Sequence, residues 1–283
     1  METDSSPRLA GVLGWPIGHS LSPRLQAYWL EQLGLKGYYV PLPVRPESLQ
    51  RAVGGLSALG FCGVNVTVPH KESILAYLDR VEPAAARIKA VNTVLVGRGG
   101  RLEGRNTDSY GLLANLQETI PDWRATTHTA LLLGAGGAAR AAVVALLDAG
   151  LDRIHIANRT RTRAEAMATE LGDRRLRPAG WQDRSSLLKE SDLVVNTTTL
   201  GMAGSPPLDL NLSLLPAHGI VYDIVYRPLE TAVLKQARQR GLRAVDGLGM
   251  LIHQAVPAFE AFYGRRPEVD AATRSYLLDA LKS

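Results

Sequence analysis

The stretch Ala130-Leu-Leu-Leu-Gly-Ala-Gly-Gly-Ala-Ala139 decides the fold of this chain of 283 residues. Ala130 to Leu133 is a short apolar run typical of a buried strand, and an alanine-rich segment from Ala138 to Ala149 predicts a helix. Between them, glycines at 134 and 136 and an alanine at 139 match the pattern G-x-G-x-x-[GA]. Small residues here let backbone N–H groups approach a pyrophosphate, and the helix N-terminus favours the anion. A dinucleotide-binding turn is therefore predicted, with a plain strand–helix turn as the simpler alternative.

Strand-like and helix-like segments alternate on both sides of this turn, which is typical of βαβ units. Further strands are predicted at Leu9–Gly14, Tyr38–Val44, Gly63–Val68, Ala90–Val96, Ile154–Ala157, Leu193–Asn196, Ile220–Ile224 and Arg243–Val245. Helices are predicted at Pro23–Gly34, Lys71–Leu78, Ala164–Leu171 and Thr231–Arg240 and in the last 30 or so residues. The alternation predicts an α/β protein with parallel strands, and the length fits two domains or one large α/β domain. We expect two domains, an N-terminal mixed-sheet α/β domain and a Rossmann-type, doubly wound parallel-sheet domain.

Turn-forming residues refine the first of these domains. Ser22 is expected to cap the first helix, with Pro23 at its first position and Gly34 ending it. Pro41 and Pro43 lack an N–H group, so the strand that carries them should lie at a sheet edge or end early.

Composition and charge limit the possible partners. The net charge is +5 and the sequence pI about 9.4, but the arginines are scattered, with no basic run interleaved with aromatic residues. Nucleic acid is therefore not expected as a partner, and small anions such as phosphates and carboxylates are.

The single cysteine and the lack of a long apolar run limit the compartment. Cys62 alone excludes a disulfide scaffold, and we expect it to serve core packing. No run reaches the about 18 uncharged apolar residues that a membrane span needs, and the start Met-Glu-Thr-Asp lacks the order of a signal peptide. We expect a soluble cytoplasmic protein with no membrane or metal partner.

The segment Asn158-Arg-Thr-Arg-Thr-Arg163 indicates which dinucleotide binds. The strand before it normally ends at an acidic residue that binds the ribose 2′-hydroxyl, but this segment contains no carboxylate. Arginines there bind a 2′-phosphate through charge-assisted hydrogen bonds. The segment favours NADP over NAD, and a solvated basic loop is the alternative.

A candidate catalytic site lies in Gly63-Val-Asn-Val-Thr-Val-Pro-His-Lys71. The alternation predicts Asn65 and Thr67 on one face of a strand, with Lys71 at the start of the next helix. Partial desolvation of Lys71 would favour its neutral amine, whereas a partner such as Asp108 would favour the ammonium. The sequence leaves open which effect dominates.

The segment Gly14-Trp-Pro-Ile-Gly-His-Ser-Leu-Ser22 suits a carboxylate ligand. Ser20 and Ser22 offer hydroxyl donors beside a helix N-terminus, although both could serve only the turn and the cap. We assign no catalytic role to His19.

Together these segments resemble the shikimate dehydrogenase family. The blocks that carry the resemblance follow in the family's order: Gly14-x-Pro-Ile-x-His-Ser-x-Ser-Pro23, Asn65-Val-Thr-x-Pro-x-Lys71, Ala90-Val-Asn-Thr93, Asn106-Thr-Asp108, Gly134-Ala-Gly-Gly-Ala138, Asn158-Arg-Thr160 and Gly247-x-Gly-Met-Leu-x-x-Gln254. The resemblance implies NADP-dependent, reversible oxidation of shikimate to 3-dehydroshikimate, a step of aromatic amino acid biosynthesis.

The resemblance also implies a role for each matching residue. Lys71 and Asp108 match the catalytic pair of the family. Substrate contacts are implied at Ser20, Ser22, Thr67, Asn92, Tyr226 and Gln254, with the serines holding the carboxylate. Cofactor contacts are implied at Gly134, Ala135, Gly136, Gly137, Ala138, Asn158, Arg159, Thr160, Arg163, Ile224 and Gly247, the last two along the nicotinamide half.

The resemblance implies how the two domains divide the chain and leaves alternatives open. Residues 1–108, completed by helices in 247–283, would form the substrate-binding catalytic domain, and residues 109–246 the NADP-binding domain. The family usually has His-Asn where this chain has Gln26-Ala27, which bears on the substrate. A quinate or dual quinate/shikimate dehydrogenase, a non-catalytic dinucleotide-binding regulator and a folate-type dehydrogenase are the alternatives. The protein is expected to act as a monomer or homodimer.

Overall fold

A computed structural model describes residues 7–282 of the chain. The strands are β1 (Arg8–Gly14), β2 (Gly37–Pro43), β3 (Phe61–Val66), β4 (Arg80–Val81), β5 (Thr93–Val96), β6 (Leu102–Arg105), β7 (Thr129–Leu133), β8 (Arg153–Asn158), β9 (Leu176–Gly180), β10 (Leu193–Asn196), β11 (Ile220–Asp223) and β12 (Arg243–Val245). The α-helices are α1 (Ser22–Gln32), α2 (Leu49–Gly55), α3 (Pro83–Ile88), α4 (Asp108–Thr119), α5 (Trp123–Thr126), α6 (Gly137–Asp148), α7 (Arg161–Leu171), α8 (Arg184–Leu187), α9 (Ala232–Gln239), α10 (Gly247–Tyr263) and α11 (Ala271–Lys282).

The chain forms two compact units. The first contains the residues up to Thr107 and those from Ile252 onward, and the second runs from Asp108 to Leu251. The predicted domain boundaries lie after residue 108 and before residue 247. Asp108 itself is the first residue of α4 and lies in the second unit.

The first unit contains a six-stranded mixed sheet in the order β2-β1-β3-β5-β6-β4. The pairs β1–β2, β1–β3 and β4–β6 are parallel, and β3–β5 and β5–β6 are antiparallel. As predicted, the strand that carries Pro41 and Pro43 lies at the edge, where a missing N–H leaves no ladder bond unmade. One core of this sheet includes Leu13, Val64 and Val94, all fully buried.

The second unit contains a six-stranded sheet that is parallel throughout, in the order β12-β11-β10-β7-β8-β9. Counted along the chain within the unit, this is the strand order 3-2-1-4-5-6 of a doubly wound dinucleotide-binding fold. Apolar clusters lie on both faces, one under α6 and the other under α9. The predicted fold class, a mixed-sheet domain and a Rossmann-type domain, is confirmed.

Two local predictions are wrong. The helix expected over Lys71–Leu78 is only a short 3-10 segment, Ser73–Tyr77, because Asp79 donates its N–H to Leu102 O at 3.0 Å and the chain turns into the sheet. Ser22 is the first residue of α1 and does not cap it: Leu21 holds the cap position, and Ser22 donates its N–H to Ser20 Oγ at 3.2 Å.

Within residues 7–282, no helix has the length and apolar content to cross a membrane. The same residues contain no group of three or more His, Cys, Asp or Glu side chains arranged to hold a metal ion. Cys62 is half-buried, with its Sγ 3.5 Å from Phe262 O.

Candidate active and dinucleotide-binding sites

The glycine turn after β7 has the backbone that its sequence predicts. Gly134 has a φ of +111°, which L-residues rarely adopt, and a Cβ there would lie 2.8 Å from Thr197 Oγ1. Its N–H donates to Ala157 O of β8 at 2.9 Å. Gly136 occupies the cap position of α6, and apart from its chain neighbours no residue of 7–282 places an atom within 4 Å of the position that its Cβ would take. The turn is therefore fixed on the side of β10 and open at the start of α6.

This turn fits the pyrophosphate of a dinucleotide. The helix that follows, α6, has 12 residues and carries no acidic residue in its first turn, so the partial positive charge of its N-terminus is not neutralised there. Helix α6 is buried over Ala139–Leu147, which holds its N-terminus rigidly at the sheet. Ala135, Gly137 and Ala138 complete the turn with side chains no larger than a methyl group.

The end of β8 carries exposed arginines and no acid. Asn158 is the last residue of β8 and donates from Nδ2 to Thr160 O at 2.9 Å, which shapes the loop. Arg159 and Arg163 are exposed, and no residue among 7–282 forms a hydrogen bond or ion pair with the Arg159 guanidinium. Arg161, by contrast, pairs with Glu165 at 2.9 Å. Arg159 can therefore bind an anion without first giving up a partner.

The carboxyl ends of β11 and β12 carry the two other predicted cofactor residues. Ile224 follows β11 and donates its N–H to Asn196 O at 3.1 Å. Gly247 opens α10 directly after β12, and a Cβ on it would overlap the carbonyl of Ile224. In the sheet order, these residues and Asn158 lie on opposite sides of β7. A dinucleotide whose adenosine end lies at β8 would thus extend its nicotinamide end toward β11 and β12.

Asp223, at the end of β11, anchors the chain that follows it. Its carboxylate is fully buried and accepts hydrogen bonds from Asn196 Nδ2, Thr231 Oγ1 and Val225 N at 2.9, 2.7 and 3.0 Å. Burial raises the pKa of Asp223, and these donors oppose that rise. The anchored segment leads to Tyr226, which is half-buried in the second unit.

In the first unit, Asn92 is the centre of a buried polar network. It is 2% exposed and donates from Nδ2 to Thr107 Oγ1 at 2.9 Å and to Gln254 Oε1 at 3.3 Å. Its Oδ1 accepts from Thr107 N at 2.8 Å and from Thr93 Oγ1 at 3.0 Å. Two predicted substrate residues, Asn92 and Gln254, are therefore in contact, although 162 positions separate them in the chain.

Asn65 supports this network from β3. Its Nδ2 donates to Asn92 O at 3.1 Å and to Thr93 Oγ1 at 3.0 Å, and its Oδ1 accepts from Tyr39 Oη at 2.7 Å. Burial raises the pKa of Tyr39 well above its ordinary value, so the phenol remains a donor. Alternation in the sequence identified Asn65, but its hydrogen bonds to Tyr39 and Thr93 could not be inferred from the sequence.

Lys71 lies in a loop that a buried histidine anchors. His70 is 1% exposed, and its ring Nε2 lies 2.7 Å from Val44 O. The backbone N–H of His70 donates to Thr67 O at 2.9 Å. Thr67 N donates to Leu13 O at 2.9 Å, and Val91 N donates to Lys71 O at 2.8 Å. The half-buried Lys71 is thus tied through its backbone to the residue that precedes Asn92.

Ser20 and Ser22 lie together at the start of α1. Ser20 is half-buried and Ser22 is 8% exposed, and the N–H of Ser22 bonds to the hydroxyl of Ser20. His19 beside them is exposed. Asp108, the predicted partner of Lys71, is 3% exposed at the start of α4.

The second unit, with its parallel sheet in dinucleotide-binding order and an open glycine turn after the first strand, defines a Rossmann-type, dinucleotide-dependent protein. The polar network of the first unit, with a lysine beside it, adds the groups that proton transfer requires. The class is that of a two-domain dehydrogenase.

Comparison with known families identifies the dehydrogenase family to which this chain belongs. Residues 12–94 match the model for the shikimate dehydrogenase substrate binding domain. Residues 115–202 match that for shikimate/quinate 5-dehydrogenase, and residues 247–275 that for the shikimate 5′-dehydrogenase C-terminal domain. The chain belongs to the shikimate dehydrogenase family.

The similarity to individual proteins supports the same family assignment. The chain is 52% identical over 271 residues to a shikimate dehydrogenase (NADP(+)) of Paramagnetospirillum magneticum, covering 96% of this chain and 98% of that protein. It is 53% identical over 274 residues to that of Rhodospirillum rubrum, covering 96% and 97%.

Two solved structures show the same fold with different ligands. Shikimate 5-dehydrogenase from Thermus thermophilus, in complex with NADP(H) and shikimate, is 40% identical with a TM-score of 0.82, covering 97% of this chain and 98% of that one. Quinate dehydrogenase from Corynebacterium glutamicum, in complex with NAD, is 31% identical with a TM-score of 0.88, covering 96% and 99%. The fold thus accommodates both NADP(H) and NAD.

Proposed function

We infer that this protein catalyses the NADP-dependent, reversible oxidation of shikimate to 3-dehydroshikimate. The observation that carries this conclusion is its identity of about half of all positions, over nearly the full length, with proteins named shikimate dehydrogenase (NADP(+)). The quinate dehydrogenase that shares the fold is less similar, at 31% identity.

We propose that the mixed-sheet unit binds the substrate and that the parallel-sheet unit binds NADP. Ser20 and Ser22 would hold the substrate carboxylate, because their hydroxyls lie beside the N-terminus of α1. Thr67, Asn92, Tyr226 and Gln254 would bind the ring hydroxyls. The network through Asn65 supports this role for Asn92, since it fixes the amide before a substrate arrives.

Lys71 and Asp108 would carry the proton transfer. During oxidation the amine of Lys71 takes the proton of the reacting hydroxyl, and during reduction the ammonium returns it. Asp108 would hold the ammonium in place. The loop anchored by His70 and Val91 supports this assignment, because a proton-transfer group must be fixed within hydrogen-bond reach of its substrate.

NADP would be held by Gly134 to Ala138 at its pyrophosphate, by Asn158, Arg159, Thr160 and Arg163 at its adenosine end, and by Ile224 and Gly247 along its nicotinamide half. When bound, it supplies the acceptor for the hydride that leaves the carbinol carbon. The open turn at Gly136 and the unengaged Arg159 support these contacts.

The experiment that tests the function is a steady-state absorbance assay with shikimate and quinate, each with NADP and with NAD. We expect the highest kcat/KM for shikimate with NADP. A higher value for quinate would assign the protein to the quinate dehydrogenases, and a higher value with NAD would contradict the reading of Arg159 and Arg163. No turnover with any pair would support a non-catalytic regulator.

We propose that the protein acts in the cytoplasm as a monomer or homodimer. The single cysteine is consistent with a reducing compartment. Light scattering after size exclusion will distinguish one copy from two.

A further inference from the structure

The turn Asp246–Gly249, which consists of the residue after β12 and the first three residues of α10, is fixed from two sides. A Cβ on Gly247 would overlap the Ile224 carbonyl, and a Cβ on Gly249 would overlap the side-chain amide of Asn115. Within the turn, Leu248 N donates to Asp246 Oδ1 at 3.0 Å, which begins α10. The turn therefore lies between the backbone after β11 and the side chain of Asn115.

Asn115 projects from α4 and uses one nitrogen for two bonds. The residue is 3% exposed, and its Nδ2 donates at 2.8 Å both to Asp246 O and to Tyr222 Oη on β11. Its Oδ1 lies 3.5 Å from Thr119 Oγ1. Among side chains of this size only an amide offers two donors on one nitrogen, so neither aspartate nor leucine can replace it.

The position of this turn gives the contact a consequence for binding. Gly247 lies on the β11–β12 side of the parallel sheet, and the basic loop after β8 lies on the other side of the glycine turn. A displacement of the turn would therefore affect the nicotinamide end of a dinucleotide and leave its adenosine end in place.

We propose that Asn115 is a positioning residue for the nicotinamide half of NADP, acting through Asp246 and Gly247 without contacting the cofactor. The inference rests on the proposed function, since it assumes that a dinucleotide lies along this edge. Asn115 would hold the turn at the distance that brings the nicotinamide ring into a productive position.

The test compares Asn115→Leu with Tyr222→Phe. The first variant removes both bonds of the amide nitrogen, whereas the second removes one and keeps the bond to Asp246 O. Isothermal titration measures the Kd of each for two probes: NADPH, and 2′-phospho-ADP-ribose, which lacks the nicotinamide. We expect Asn115→Leu to raise the Kd for NADPH about tenfold. The Kd of Asn115→Leu for 2′-phospho-ADP-ribose should stay within about twofold of the Kd of the unsubstituted protein. For Tyr222→Phe, the Kd for NADPH and the Kd for 2′-phospho-ADP-ribose should both stay within about twofold of those of the unsubstituted protein.

Kinetics give a second readout. Asn115→Leu should lower kcat, because a misplaced ring reacts slowly, and should leave the KM for shikimate unchanged. Equal weakening of both probes, or an equal effect of Tyr222→Phe, would overturn the inference by assigning Asn115 a structural role only.

If Asn115→Leu does not fold, Gly249→Ala is the alternative variant. The Cβ of the new alanine would overlap the side-chain amide of Asn115 and so move the turn away from it. We expect the same selective loss of NADPH affinity, and unchanged affinity would overturn the inference. Failure of the unsubstituted protein to bind NADPH would instead contradict the proposed function, so the two failures are distinguishable.

Discussion

Lys71 is the residue on which the proposed chemistry depends most directly. Replacing it with alanine removes the amine that takes and returns the proton of the reacting hydroxyl, so kcat should fall by about 10²–10⁴-fold with a smaller change in KM for shikimate. Steady-state kinetics with NADP measure both. Lys36→Ala is the control, because Lys36 is an exposed lysine of the same unit with no assigned role. Near-normal turnover of Lys71→Ala would remove Lys71 from the mechanism.

Gln26 is a second informative residue, because its side chain is sealed in the core. It is 0% exposed, and neither atom of its amide has a hydrogen-bond partner within residues 7–282. A buried amide without a partner costs about 1–3 kcal/mol. Gln26→Met keeps the volume and removes the polar atoms, so it should raise the free energy of unfolding by about 1–3 kcal/mol.

Urea denaturation checks this prediction. Gln32→Met on the same helix is the control, since Gln32 is exposed and should show no gain. A loss of stability in Gln26→Met would contradict the assignment of this amide as an unsatisfied polar group.

At the scale of elements, the apolar strands and the edge strands β2 and β12 could be predicted from the sequence, whereas the edge strands β4 and β9 could not. The prediction for β10 is confirmed, and those for β7 and β8 lie within one residue of the observed ends, because a strand covered on both faces is apolar throughout. Strand β9 has the sequence Leu-Arg-Pro-Ala-Gly, in which apolar and polar residues do not alternate regularly. It forms because its backbone pairs with β8. Strand β4 has two residues and, within residues 7–282, pairs with β6 alone. Pairing of this kind depends on distant segments, which local patterns do not contain.

In the candidate site too, local sequence patterns predict some features, whereas contacts between distant segments could not be predicted from them. Motifs identified Asn92 and Gln254, whose contact the structure shows, but not that the hydroxyls of Thr93 and Thr107 hold Asn92, nor that the hydroxyl of Tyr39 holds Asn65. A hydroxyl side chain carries no spacing rule for its hydrogen-bond partner, so only the three-dimensional arrangement could reveal these contacts.

Helix α9 provides a prediction about an element, because its cap also serves the buried Asp223. Thr231 Oγ1 accepts from Leu234 N at 3.5 Å and donates to Asp223 Oδ2 at 2.7 Å. Thr231→Ala removes the cap and leaves a buried carboxylate oxygen without this donor, so it should cost about 2–3 kcal/mol. Thr231→Ser keeps the hydroxyl and should cost much less.

The cost of Thr231→Ala should depend on pH. Burial holds the pKa of Asp223 above its ordinary value, so the folded protein binds its proton more tightly than the unfolded chain does. Stability contributed by that proton is present below about pH 4, the unfolded value, and is lost as pH rises through the folded-state pKa. Removing a donor raises this pKa further, so the deficit of Thr231→Ala should grow from acidic to neutral pH. Urea denaturation at several pH values measures it, and a deficit that shrinks toward neutral pH would contradict the role of Asp223.

At the scale of the whole molecule, the net charge of +5 attracts any anion, so selectivity for NADP must be separated from general attraction. Binding to the native state alone stabilises it by about 2.7 kcal/mol at a ligand concentration of 100 times Kd. NADPH should therefore raise the melting temperature more than NADH does at equal concentration, because only NADPH carries the phosphate that Arg159 would bind. Arg159→Ala should lower the shift with NADPH and leave that with NADH nearly unchanged.

The variant Arg174→Ala distinguishes a direct contact between Arg159 and the 2′-phosphate from the general attraction of the net positive charge. Arg174 is exposed in the same unit and its loss changes the net charge equally, so its shifts with both nucleotides should match those of the unsubstituted protein. Added salt screens the general attraction over about 10 Å at 0.1 M, and the difference between NADPH and NADH should persist there because a direct ion pair is screened less. If both arginine variants reduced the NADPH shift equally, the selectivity would come from net charge, and the assignment of Arg159 to the 2′-phosphate would be wrong.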